Sequence, residues 1–159
     1  MQVRDACERD VPAIHAVLAS NAADTSLFQQ SAAQIARAWG EFVVAEDGGA
    51  IVGCAEVHWH ASTTAEILAV AVAAGAHRRG TGSALVAACI ARARGRGATL
   101  IWLATAKPAY FARFGFQPMS RLRLPTGVLV TKLRLVFGQR AARWLPALFG
   151  RHTIMRLTG

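Results

Sequence analysis

The spacing of apolar residues divides the chain into alternating strands and helices. Residues 2–6 suit a short first strand. Val11, Ile14, Val17 and Leu18 fall on one face of a helix running from an Asp10 N-cap to Ser20. Pro12 sits in its first turn, where amide hydrogens lack helical partners anyway. Ile35 and Trp39, one turn apart, predict a second helix over 31–39. Residues 42–46 and 50–59 read as a hairpin closed by Asp47, Gly48 and Gly49. Residues 66–72 are apolar on nearly every position, which predicts a central strand. Leu85, Cys89 and Ile90 give 81–94 a helical period, ended by Gly95-Arg96-Gly97. Residues 99–105 form another apolar strand, and 108–114 a short helix closed by Gly115. Beyond it, Leu122 and Leu124 suggest a strand. Residues 127–137 and 140–149 look helical, interrupted by Gly138 and Pro146, and 152–157 read as a final strand. Strands and helices mixed on one sheet make the fold α/β or α+β.

Composition narrows this to one domain over 1–159, with 53% hydrophobic and 17% charged residues. The net charge of +9 is unevenly laid out. All nine acids lie at or before Glu66, against only Arg4, Arg9 and Arg37. From Ile67 onward there is no carboxylate, and the excess of bases there suggests an anionic partner. No window approaches the roughly 18 consecutive apolar residues that span a bilayer. The charged start, Met1-Gln2-Val3-Arg4-Asp5, is unlike a secretory signal. Cys7, Cys54 and Cys89 are far apart, as free thiols in a reducing cytoplasm are.

The chemistry concentrates in Glu66 to Leu85. A buried strand feeds the loop His77-Arg78-Arg79-Gly80-Thr81-Gly82-Ser83, and a helix follows. Glycines let the backbone approach a ligand, and the helix start aims free amides and a positive dipole end at it. Arg78 and Arg79 add charge, so the loop suits a pyrophosphate. It lacks the lysine of a nucleoside-triphosphate loop and the third glycine of the dinucleotide fingerprint.

This loop resembles the Gln/Arg-x-x-Gly-x-Gly/Ala signature of the GNAT superfamily of acetyl-CoA-dependent N-acetyltransferases. His77 stands where that family usually has Gln or Arg. The resemblance continues into Ala109-Tyr110-Phe111-Ala112-Arg113-Phe114-Gly115-Phe116, similar to the family's Ala-x-x-Phe-Tyr-x-x-x-Gly-Phe segment. It implies a central, mixed, mostly antiparallel sheet flanked by helices: a core over 1–124, a basic helical insertion over 125–150 and a last strand. It also implies an acetyl-CoA cosubstrate, with pyrophosphate on residues 78–83. By the same resemblance the pantetheine arm is expected along the backbone of Val70 and Val72, where a bent fourth strand parts from the fifth. Leu103, Ala104 and Tyr110 line the opposite wall.

Amine attack on a thioester needs a base for the amine proton and an acid for the thiolate. Many family members place a tyrosine four residues before the Gly-Phe glycine. Here that residue is Phe111, which leaves the adjacent Tyr110 as candidate acid. Glu66 is the candidate base: histone acetyltransferases and N-acetylglutamate synthases are similar in carrying Glu-[Ile/Leu] at this offset. The alternative for Glu66 is a solvated charge at a strand end. Cys54, Glu56, His58 and His60 alternate onto one face of the preceding strand. Glu56 or His58 is the second candidate to meet the amine, through water. His58-x-His60 has no evident third zinc ligand, so no metal is expected. His60 reads as a surface residue, and His15 and His152 as structural.

Residues 121–156 hold eight Lys and Arg beside two apolar groups: Val130, Leu133, Val136 and Phe137, then Trp144, Leu145, Leu148 and Phe149. They read as helices packed on the sheet or on a second copy, a homodimer. A membrane surface is the sharper alternative. No stacking aromatic motif points to nucleic acid. The expectation is a cytoplasmic N-acetyltransferase acting on a small primary amine, an amino acid or another carboxylated amine. Two alternatives stand beside it: a CoA-binding or membrane-associated module without turnover, and an enzyme acting on aminoacyl-tRNA or protein.

Overall fold

A computed structural model of the chain describes residues 1–23, 29–77, 80–120, 123–124, 128 and 152–158. In chain order its elements are β1 (Gln2–Asp5), α1 (Val11–Ser20), α2 (Ala32–Ala38), β2 (Phe42–Asp47), β3 (Ala50–Ala61), β4 (Thr64–Val72), α3 (Thr81–Gly95), β5 (Leu100–Thr105), α4 (Pro108–Ala112), β6 (Gln117–Pro118) and β7 (Thr153–Thr158). One sheet runs in the order β1-β2-β3-β4-β5-β7-β6. Every pairing in it is antiparallel except β4 with β5. The expected class of a mixed, mostly antiparallel sheet with flanking helices is the one observed. Apart from Val128, the basic helices expected over 127–137 and 140–149 lie outside the described residues.

Local chemistry explains most boundaries. Gly48 and Gly49 take φ of 58° and 80°, which the two-residue hairpin turn between β2 and β3 requires. Ser31 caps α2 and forms a reciprocal capping box with Gln34. Trp39 falls in a short 3-10 turn past the end of α2 and is exposed. Asp10 differs from expectation, because its carboxylate does not cap α1. It accepts from both terminal nitrogens of Arg4, at 2.7 and 3.0 Å, and from the Cys7 amide at 2.8 Å. A guanidinium is the stronger partner, and it holds Asp10 well below the usual carboxylate range. Leu124 lies in a bend rather than a strand, Leu122 is outside the described residues, and the short β6 takes the place of that strand.

The two faces of the sheet differ. One is apolar throughout: Val43, Ala55, Val57, Ala65, Ile67, Ile101 and Leu103 pack under Leu85, Val86, Cys89 and Ala93 of α3 and Phe111 of α4. Leu85 and Val86 are fully buried, each contributing about 2 kcal/mol. That burial fixes the start of α3 on the sheet, and the loop before it. The far end of α3 is held by Arg92, which donates to the carbonyls of Phe42 and Gly40 and pairs with Asp5 at 3.1 Å. The opposite face carries two separate apolar clusters. Phe42, Val44, Cys54, Ala69 and Ala71 lie under Ile14, Val17, Leu18 and Ile35 of α1 and α2. Trp102, Val128 and Ile154 form the second, with Met119 and Leu124 against them. Burial pushes the Cys54 and Cys89 thiols up to about 12, so both serve as apolar fillers.

Strand β4 changes parity midway. Cys54 pairs with Ala71, but Glu56 pairs with Leu68, so β4 carries one extra residue there. Ala69 takes φ 54° in this bulge and is 3% exposed. Leu68 and Ala69 consequently share the α1 side, and Val70 and Val72 turn toward α3. Left-handed backbone costs a non-glycine residue about 1–2 kcal/mol, more if β-branched. Ala69→Gly is expected to hold stability within about 0.5 kcal/mol, since strain relief offsets the added unfolded-state freedom. Ala69→Val is expected to lose at least about 2 kcal/mol. Urea unfolding of both variants checks this, and a valine variant as stable as the wild type contradicts it.

Candidate active site

Strand β4 pairs with β5 through only three positions: Thr64 with Leu100, Ala65 with Ile101 and Glu66 with Trp102. β5 then continues with β7, from Leu100–Thr158 to Thr105–Thr153. Past Glu66, β4 therefore has no strand beside it on the β5 side among the described residues. Backbone donors and acceptors there are open to an extended ligand, which can join as a strand would. The Val72 carbonyl is already engaged, accepting from the Asn21 side-chain amide at 3.1 Å.

The start of α3 faces the same region. Gly80 is its N-cap with φ 77°, a conformation other residues adopt only under strain. No acidic residue lies in the first turn, so the unpaired amides of residues 81–83 meet no competing charge. Thr81 is buried, and its hydroxyl donates to the Ala76 carbonyl at 3.3 Å. It thus offers a ligand its amide rather than its side chain. His77 is exposed at the start of the loop, Ser83 is half-buried, and Arg78 and Arg79 lie outside the described residues. The Tyr110 hydroxyl reaches this helix start. A Cβ built on Gly82 would stand 3.0 Å from that oxygen and 3.7 Å from Val72 Cγ2. Gly82 is the residue that admits the tyrosine. Tyr110 also packs edge-on to Phe111 and under the Arg113 guanidinium.

Between the two apolar clusters on the α1 side lies a polar floor. Register places His58 beside Glu66, and Glu66 beside Trp102. Glu66 is 3% exposed, and its Oε2 lies 2.8 Å from Nε2 of His60. The His60 ring contacts the Trp102 ring at 5.5 Å between centroids. His58 Nδ1 lies 2.8 Å from Glu41 Oε2 and 3.8 Å from Glu56 Oε1. The bond to Glu41 raises the His58 pKa above its ordinary value, against the opposing effect of burial. Glu56 is buried and accepts a short hydrogen bond from Gln30. Burial pushes its carboxyl up to about 7, although that hydrogen bond pulls the other way.

A family model described as "Acetyltransferase (GNAT) family" matches residues 11–116, more than half of the chain. The chain belongs to the GNAT acetyltransferase family. Rv2747 of Mycobacterium tuberculosis, solved in complex with CoA and NLQ, is similar in fold with a TM-score of 0.84. It is 27% identical, and the match covers 100% of this chain and 99% of that one. N-acetylglutamate synthase of Neisseria gonorrhoeae, complexed with coenzyme A and N-acetyl-glutamate, matches at TM-score 0.79 and 25% identity. There 99% of this chain covers 34% of that one, so the likeness is to about a third of the synthase. Ribosomal-protein-alanine N-acetyltransferase of Brucella melitensis shares the fold, at TM-score 0.70, 21% identity and full coverage of both chains.

This GNAT chain is an N-acetyltransferase whose relatives bind CoA, and its geometry sorts the site residues named from sequence. Val70, Val72, Gly80, Thr81, Gly82, Ser83 and Tyr110 gather around the open side of β4 and the start of α3. Glu66 stands at the last rung before the strands part, and Glu56 lies farther off, between Phe42 and Leu68. His60 differs from expectation: its side chain is 1% exposed rather than on the surface. Gln30 and Glu41 were not foreseen. They sit in connections, with no local periodicity to mark them, and reach the site only through tertiary packing. With Glu41, His58 gathers two carboxylates whose ligand atoms all lie within 4.8 Å. Those atoms are already joined to one another or to Gln30.

A carboxyl moved from 4.5 to about 7 favours the fold while protonated. Its contribution is full below the lower value and is lost as pH rises through the upper one. Glu56→Gln keeps the Gln30 contact and carries no charge. The variant is therefore expected to gain up to about 3 kcal/mol on the wild type between about pH 4.5 and about pH 8. Urea unfolding across that range checks this, and parallel pH profiles contradict it.

Proposed function

We propose that this GNAT enzyme transfers acetyl from acetyl-CoA to the primary amine of a small carboxylated acceptor, such as an amino acid. The observation that carries the reading is the open side of β4 beyond Glu66, met by the unpaired amides at the start of α3. An extended pantetheine arm matches the first, and a pyrophosphate matches the second. The acceptor then meets the polar floor between the two apolar clusters. A relative complexed with N-acetyl-glutamate supports an amino-acid acceptor.

The reaction is direct attack within a ternary complex. The amine nitrogen bonds to the thioester carbon, and a β4 amide steadies the developing oxyanion. Glu66 drives removal of the amine proton, from the last rung before the strands part. As the C–S bond breaks, the Tyr110 hydroxyl beside Val72 gives the thiolate its proton.

Thiol release from acetyl-CoA, measured across amino acids and their decarboxylated amines, tests the reading. Release is expected with one or more amino acids, and no acceptor-dependent release despite CoA binding overturns it. Glu66→Gln and Tyr110→Phe are each expected to lower kcat about 100-fold or more, with acetyl-CoA affinity changed less than about twofold. Full activity in either variant removes that residue from the chemistry.

A further inference from the structure

Two buried ring nitrogens without a hydrogen bond lie close together among the described residues. They are Nε2 of His58 and Nδ1 of His60, whose rings stand 4.9 Å apart at right angles on the floor of the site. Leaving such an atom unpaired costs about 1–3 kcal/mol. A ligand that supplies the missing partner recovers that cost on binding.

His60 is the more constrained of the two. Its Nε2 faces Glu66 Oε2 at 2.8 Å, and its side chain is 1% exposed. If the carboxylate of Glu66 accepts in that bond, the hydrogen belongs to the imidazole. In that tautomer Nδ1 is a bare lone pair, buried and without a donor. Trp102 packs on the ring at 5.5 Å and fixes its plane. Trp102 is also the β5 partner of Glu66 at the last rung before the strands part. A carboxylate that sets the tautomer, a ring held in place and a lone pair awaiting an N–H make up the base half of a nucleophile-activating triad.

We propose that His60, oriented by Glu66, is the group that receives the proton of the acceptor amine. This rests on the acetyl-transfer reading given above. As the N–C bond forms, the amine proton passes to Nδ1 of His60, and Glu66 balances the charge of the imidazolium. The C–S bond breaks, and the thiolate takes the Tyr110 proton. Solvent then reprotonates Tyr110 and takes the proton held by His60. One amine and one thioester become one amide and one thiol. Glu66 is on this account a positioning residue.

His60→Gln tests the assignment, because the glutamine amide can still donate to Glu66 but offers no basic nitrogen. Its kcat/KM is expected to fall about 100-fold or more, with acetyl-CoA affinity and melting temperature close to wild type. His60→Gly is expected to regain activity with added imidazole. A His60→Gln enzyme within about threefold of wild type, or a His60→Gly enzyme that imidazole does not rescue, overturns the proposal. A second readout needs no variant at His60. Nitrogen-15 spectra of the wild type are expected to show the Nε2–H tautomer, and Glu66→Gln is expected to shift it. An Nδ1–H tautomer in the wild type also overturns the proposal. A wild-type enzyme that acetylates no amine defeats the acetyl-transfer reading instead, and the tautomer measurement remains decisive for His60.

Discussion

The structure depends on one broken seam. Two halves of the sheet meet at β4 and β5 through three residue pairs, and beyond Glu66 the seam opens. Unpaired backbone is costly in a protein interior, so chains rarely leave a central strand half bare. Here the bulge at Ala69 bends β4 out of line and turns Val70 and Val72 toward α3. The strain of a left-handed alanine and the loss of ladder bonds are local costs. They leave β4 beyond Glu66 without a strand on its β5 side among the described residues, with a helix start near it. Such an arrangement suits a ligand that supplies its own hydrogen-bonding groups.

The second constraint is the desolvation of charge. Glu56, Glu66, His58 and His60 sit on a sheet face that is apolar to either side. Each is tolerated through a partner: Gln30 for Glu56, Glu41 for His58, and His60 with Glu66 for each other. A buried ionic group stripped of its partner costs several kcal/mol, so these contacts are mutually dependent. The opposite face has no such group among its clustered residues and does the work of stability. The buried acids and histidines therefore gather on one side of the sheet, between its two smaller apolar clusters.

Much of this was legible in the sequence, for identifiable reasons. Continuous apolar runs marked β4 and β5, and helical spacing at Leu85, Cys89 and Ile90 marked α3. The glycines of the loop marked the entry to α3, where Gly80 takes φ 77°. What stayed hidden was mostly long-range. Gln30 and Glu41 carry no periodic signal, and their roles come from chain segments meeting Glu56 and His58. His60 alternates onto the correct face, but strand alternation cannot say that Trp102 and Glu66 bury it. Asp10 has the composition of a helix cap, and a competing guanidinium at Arg4 drew its carboxylate elsewhere.

Arg92 has a consequence that concerns force rather than fit. An anion at the start of α3 pulls on the whole helix along its axis. At the opposite end Arg92 ties the helix to the carbonyls of Phe42 and Gly40 and to Asp5. A tether there resists that pull through two chain segments at once, β1 and the turn into β2. The positive end of the helix is thereby kept from recoiling as the ligand's charge comes and goes.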